Sequence, residues 1–185
     1  MGEVNALKNT SLTALGGIIT ALSVVFMFMS SLIPFMTYVV PAFAGLLLIV
    51  TVREVELRWS FYIYIAVSFL SLLVIADKES AVMYSFFFGY YPFVKVLIDE
   101  KFSNRVLNKL IKFIVFNFGV VLGYLVIIKV FGIPIEEMDE FGKYTNIILL
   151  ALGNIVFIFY DILVRNLAMI YDLKWHKRVA KIFKF

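Results

Sequence analysis

No charged residue separates Lys8 from Arg53. An apolar run of that length suits lipid: a helix needs about 20 consecutive apolar residues to cross the hydrocarbon core. The stretch has room for two crossings. Pro34 and Pro41 bracket the turn between them, because proline breaks a helix and biases the residue before it away from helical geometry. The chain is therefore expected to open as a membrane hairpin. Its first span covers residues 11–33, and a shorter second span covers 38–52, extended by snorkelling of Arg53.

The same pattern continues to the C-terminus. A third span over 59–76 stops at Asp77-Lys78-Glu79. A fourth covers 80–98, with Pro92 kinking it late and Lys95 snorkelling near its end. A fifth covers 110–131 and ends at Gly132-Ile133-Pro134, and a sixth covers 145–168. The expected fold is an all-α membrane protein, one domain over 1–185, built as a single bundle of six transmembrane helices. Composition agrees: 63% of residues are hydrophobic and 16% charged, against about half and a quarter in soluble domains. That balance excludes a soluble enzyme, a nucleic-acid-binding domain and a disordered chain. A transmembrane barrel is excluded too, since its strands alternate rather than run apolar. There is no cysteine and His176 is the single histidine, so neither a thiolate nor a multi-histidine metal site is expected, and no cofactor. The N-terminal apolar run is too long for a cleavable signal peptide.

Six spans sort the basic residues. Lys8, Arg53, Arg58, Lys95, Lys101, Arg105, Lys109, Lys112, Arg165, Lys174, Lys177, Arg178, Lys181 and Lys184 fall on one side. Lys78, Lys129 and Lys143 fall on the other. Basic residues accumulate on the cytoplasmic side, so both termini are expected in the cytoplasm of a multi-pass cell-membrane protein. The outer loop carries Glu136, Glu137, Asp139 and Glu140, and reads as a solvated loop or a cation-attracting mouth. Two inner segments are amphipathic. The tail, 174–185, sets Trp175, Val179, Ile182 and Phe183 against Lys174, Lys177, Arg178, Lys181 and Lys184, as a helix lying on an anionic leaflet does. Between spans four and five, Phe102, Val106, Leu107, Leu110 and Ile111 alternate with Lys101, Arg105, Lys109 and Lys112. That segment suits membrane anchoring or a docked partner.

Few residues carry chemistry. The chain lacks a phosphate-binding loop, a nucleophile elbow and an H-E-x-x-H motif, and an enzyme is not expected. Asp161 is the one acid clearly inside a span, and Arg165 lies four residues on, on the same helical face. Asn154 shares that face seven residues earlier. The stripe reads as a structural ion pair near the inner interface or as part of a ligand site. Asn117 in span five needs a hydrogen-bond partner, from a neighbouring helix or a ligand. Gly119 and Gly123 allow close helix approach. Tyr84, Tyr90 and Tyr91, in the aromatic run before Pro92, suit either packing or stacking of a planar ligand. Thr13, Gly17 and Ala21 form a small-residue ridge on span one, facing another span of the chain or a second protein.

The stretch Thr13-Ala14-Leu15-Gly16-Gly17-Ile18-Ile19-Thr20-Ala21-Leu22-Ser23-Val24-Val25, running on to Ile33-Pro34, with Pro41-Ala42-Phe43-Ala44-Gly45 behind it, resembles the substrate-binding S components of energy-coupling factor transporters. The resemblance covers the first third of the chain in detail and the rest in span count. It implies six helices with both ends inside, and capture of a vitamin or similar micronutrient from outside. It also implies docking of a membrane-embedded coupling protein, served by two ATPases, on the ridge of Thr13, Gly17 and Ala21. A small-molecule ligand would then meet Asn154, Asn117, Tyr84, Tyr90 and Tyr91. The alternative is a non-transporting scaffold of the cell envelope, similar to small shape-determination proteins. Membrane lipid is the expected surrounding in either case, and nucleic acid is not a partner.

Overall fold

Eight helices and one π-turn make up the described part of the chain, residues 2–33, 36–55, 57–132 and 145–183 of a computed structural model. They are α1 (Gly2–Ser30), α2 (Val39–Glu54), α3 (Leu57–Val74), α4 (Lys78–Met83), the π-turn Tyr84–Phe88, α5 (Tyr91–Lys101), α6 (Arg105–Lys129), α7 (Thr145–Lys174) and α8 (His176–Phe183). Pro34 and the acidic stretch with Glu136, Glu137, Asp139, Glu140 and Lys143 lie outside the described residues.

Five segments are long and apolar enough to cross a membrane: Thr10–Ser30, Leu57–Val74, Lys78–Lys101, Arg105–Lys129 and Ile147–Lys174. The expected second span is a helix, but α2 has 16 residues. At 1.5 Å per residue it is about 24 Å long, short of a hydrocarbon core about 30 Å thick. Its surroundings explain the length. Leu46 and Ile49 enter one core cluster with Phe87, Tyr91, Phe116, Phe157 and Tyr160. Val40, Ala44 and Leu48 enter another with Leu15, Ile19, Met27, Ile63 and Val67. A helix walled by protein on both faces need not match the lipid. The outward apolar side chains belong mostly to the others: Phe118 on α6 is 66% exposed and Phe159 on α7 is 69% exposed. Exposed apolar side chains in such numbers call for an apolar surrounding, a membrane or a protein partner.

Contacts between loops and helix ends give the bundle two distinct ends. At one, the Asp77 N–H donates to Ser31 Oγ at 3.2 Å and Tyr38 Oη donates to the Glu79 carboxylate. At the other, Arg53 pairs with Asp172, and Glu54 accepts from Tyr171 Oη at 2.7 Å.

In place of the expected late kink, the fourth span carries a π-turn, placed earlier than Pro92 implies. Proline has no N–H, so the helical bond from position 92 back to the Phe88 carbonyl cannot form. The backbone widens instead: the Gly89 N–H reaches Tyr84 O, five residues back, at 2.8 Å. Carbonyls loosened by such a bulge need donors. Tyr64 Oη donates to Ser85 O at 2.6 Å, and Tyr160 Oη donates to Phe88 O at 3.3 Å. Glycines let α2 and α6 approach this turn. A Cβ on Gly45 would collide with the Phe88 carbonyl, and one on Gly119 with the Phe86 carbonyl. The close approach expected of Gly119 and Gly123 is therefore made to the π-turn of the same chain.

The amphipathic segment between spans four and five is not a separate surface helix. It forms the opening turns of α6, with Val106, Leu107 and Leu110 exposed and Lys112 buried. Of the segment's basic residues Lys112 turns into the bundle, while Lys101, Arg105 and Lys109 stay exposed. The tail forms α8, an amphipathic helix with one edge on the bundle. α8 turns back to touch α1 and α2, and Phe183 packs against the core cluster of those helices. Trp175 and Ile182 stay exposed.

Candidate functional site

The described residues hold a charged cluster where α5, α6 and α7 meet. Tyr91, Lys95 and Asp99 recur every four residues on α5 and so share one face. Lys95 binds the Asp161 carboxylate of α7 and lies 3.7 Å from Asp99. Lys112 of α6 binds Asp99 and lies 4.0 Å from Asp161. Tyr91 Oη donates to Asp161 Oδ1 at 2.5 Å. Asn108 Nδ2 adds a bond to Asp99 Oδ1 at 2.9 Å. Both lysines are only 6% exposed. Two ammonium groups and two carboxylates thus close a neutral ring across three helices, the arrangement that makes charge tolerable inside a membrane.

The ring corrects two expectations. Asp161 is not held by Arg165: among the described residues its partners are Lys95, Lys112 and Tyr91, and Arg165 is exposed, outside salt-bridge distance. On α7 the buried face runs through Phe157, Tyr160 and Val164. Asp161 borders that face and turns inward, whereas Arg165 sits one step beyond Val164 and turns out. Lys95 does not snorkel, because a carboxylate within the bundle offers a nearer counter-charge than the interface does. Lys95 and Asp161 are opposite charges on different spans, and that was the signal in the sequence. Local spacing favoured Arg165 instead.

Asn117 and Asn154 meet. Each donates its amide to the other's Oδ1, at 2.9 and 3.0 Å. Each also donates to its own helix four residues back, Asn117 to Phe113 O at 2.8 Å and Asn154 to Leu150 O at 2.7 Å. Both amides are thereby spent on a clasp between α6 and α7, one of the two roles expected of Asn117.

The tyrosines separate. Tyr84 is wholly buried in the core cluster of α1 to α3. Tyr91 is wholly buried and committed to Asp161. Tyr90, of the expected ligand residues, lines a lateral cavity of about 560 Å³ between α3, the π-turn and α6, walled mainly by Phe86, Val94, Phe118 and Leu122. It also donates to Val115 O at 3.4 Å. A second cavity, about 280 Å³, lies beside the charge ring between α2, α5 and α7.

The ridge on α1 points away from the bundle. Leu12, Leu15, Ile19, Ser23 and Met27 form the buried face, while Thr13, Gly17 and Ala21 are exposed. A Cβ on Gly17 would meet nothing within 4 Å. Among the described residues, then, no other span packs over Gly17, against the expectation that another span of the same chain covers the ridge.

A latch that sequence reasoning missed closes the same end as the ring. The Glu54 side chain is 1% exposed, with His176 Nδ1 at 2.8 Å and Tyr171 Oη at 2.7 Å. Its partners stand more than a hundred positions away in the chain, and only the return of α7 and α8 brings them to Glu54. Among the described residues, no three His, Asp or Glu side chains gather as a metal ion requires. Compared with models of protein families, with curated proteins and with solved structures, the chain matches none of them.

Proposed function

We propose that this chain is a six-span membrane subunit with both termini in the cytoplasm, acting like an S component: it captures a micronutrient and leaves energy supply to partner ATPases. The observation that carries the reading is the outward ridge of Thr13, Gly17 and Ala21, with open space over Gly17. Helix association in lipid depends on close backbone approach, and here a smooth face is left for a helix from another protein.

The sixth pass is supported by the end contacts. Tyr38, just before α2, bonds Glu79 at one end, and Arg53 and Glu54 at its far end bond Asp172 and Tyr171 at the other. Contacts of α2 at both ends support a crossing by this short helix. Basic residues concentrate at the end with Arg53, Lys95, Lys112 and Lys174, which supports placing that end in the cytoplasm.

A second reading is a cell-envelope scaffold, similar to small shape-determination proteins. It is favoured by the clasp of Asn117 and Asn154, which leaves neither amide for a ligand. Copurification of the full chain from its native membrane in mild detergent, with mass spectrometry of proteins and small molecules, tests both. Recovery of a membrane coupling protein with two ATPases, or of a bound vitamin-sized molecule, supports uptake. Envelope-synthesis proteins with no small molecule would replace it with the scaffold.

A further inference from the structure

The cavity of about 280 Å³ between α2, α5 and α7 combines charge and apolar wall in an unusual way. Arg53, Lys95, Asp99, Arg165 and Asp172 supply its polar lining. Pro92, Val96, Val164, Ala168 and Met169 supply much of the rest. The charges pair off with one left over. Arg53 is bound to Asp172, and Lys95 and Lys112 share Asp99 and Asp161. Glu54 is turned away to Tyr171 and His176. Arg165 makes no hydrogen bond or ion pair among the described residues. Arg165 is exposed at this cavity and has no counter-charge among the described residues, so its guanidinium is available to an anion that enters. Its planar donors fit phosphate oxygens.

We propose that this cavity is a site for a phosphodiester carrying an apolar tail, namely an anionic phospholipid with its phosphate on Arg165. The leftover positive charge matches the single charge of a phosphodiester. The surplus matters because a lipid of zero net charge brings its own cation and gains nothing from it. The apolar wall of Val164, Ala168 and Met169 continues from the charged floor along α7, so a tail has a surface to follow. The assignment rests on membrane embedding and not on uptake, so it stands or falls separately from the transport reading.

Native mass spectrometry of the full chain in detergent tests it, with phosphatidylglycerol and phosphatidylcholine added in equal amounts. The wild type is expected to retain one phosphatidylglycerol in preference to phosphatidylcholine. Arg165→Gln, at an exposed position where folding does not depend on the side chain, is expected to lower that preference about tenfold, the effect of one charge-assisted contact. Arg165→Lys should restore part of it. Lys101→Gln, an exposed cation outside the cavity, should leave it unchanged. Equal retention of both lipids, or full preference in Arg165→Gln, would overturn the site. Displacement by an equal concentration of dimethyl phosphate would overturn the lipid as its source and leave a soluble phosphodiester.

Discussion

Lys95 and Asp161 lie 66 positions apart in the chain and form the ion pair that ties α5 to α7, with Tyr91 bonding the same carboxylate oxygen. A buried pair of this kind is costly to break from one side, because the surviving charge keeps its desolvation penalty. Lys95→Met is expected to destabilise the protein by about 3 kcal/mol, and Lys95→Met with Asp161→Leu by less than the sum of the two single changes. Thermal unfolding in detergent measures the cycle. Additive losses would mean that the two groups do not interact.

The clasp of Asn117 and Asn154 should behave as one unit. Each single change to alanine strands the other amide, at a cost of about 1 kcal/mol for an interhelical bond in a membrane. The double change is expected to cost little more than either single one. A double variant with twice the loss would show that each asparagine has an independent role.

Two glycines should respond in opposite ways to a larger side chain. Gly45→Ala drives a methyl into the Phe88 carbonyl, which leaves no flexible side chain to move aside, and about 1–3 kcal/mol or more of overpacking strain is expected. Gly17→Leu meets open space. It should retain wild-type stability while losing any protein captured through the ridge. Size-exclusion profiles and thermal midpoints of the two variants separate these outcomes, and a destabilised Gly17→Leu would place the ridge inside the fold.

Glu54 holds the last turns of α7 and the start of α8 through Tyr171 and His176. Glu54→Ala is expected to release α8 and raise trypsin cleavage after Lys174 and Lys177 several-fold, with the rest of the bundle resistant. Tyr171→Phe should give a smaller rise, since His176 keeps its partner. Unchanged cleavage in Glu54→Ala would show that Phe183 packing alone docks the tail.

The helical spans were legible because lipid imposes a length and a polarity that can be read residue by residue. The uncharged stretch before Arg53, the break at Asp77-Lys78-Glu79 and the stop at Gly132 each mark a boundary between apolar helix and water. Periodicity also placed Asn154 and Asp161 on one face, and both do turn inward.

By itself, then, the sequence determined that this is a membrane-embedded helical chain, where most of its helices lie, and which few polar residues must be accounted for. Tertiary structure alone decided their partners. Asp161 went to Lys95 rather than Arg165, Asn117 to Asn154, Glu54 to Tyr171 and His176, and the small face of α1 was left outward. The reason is physical: a span's apolar length is a property of neighbouring residues along the chain. An ion pair or a glycine contact is instead a property of two surfaces brought within a few ångströms. Lipid rewards apolar residues on every face of a helix, so hydrophobic pattern does not say which face meets protein. Only packing makes that choice, and with it the choice of which charges cancel and which, like Arg165, remain to be met.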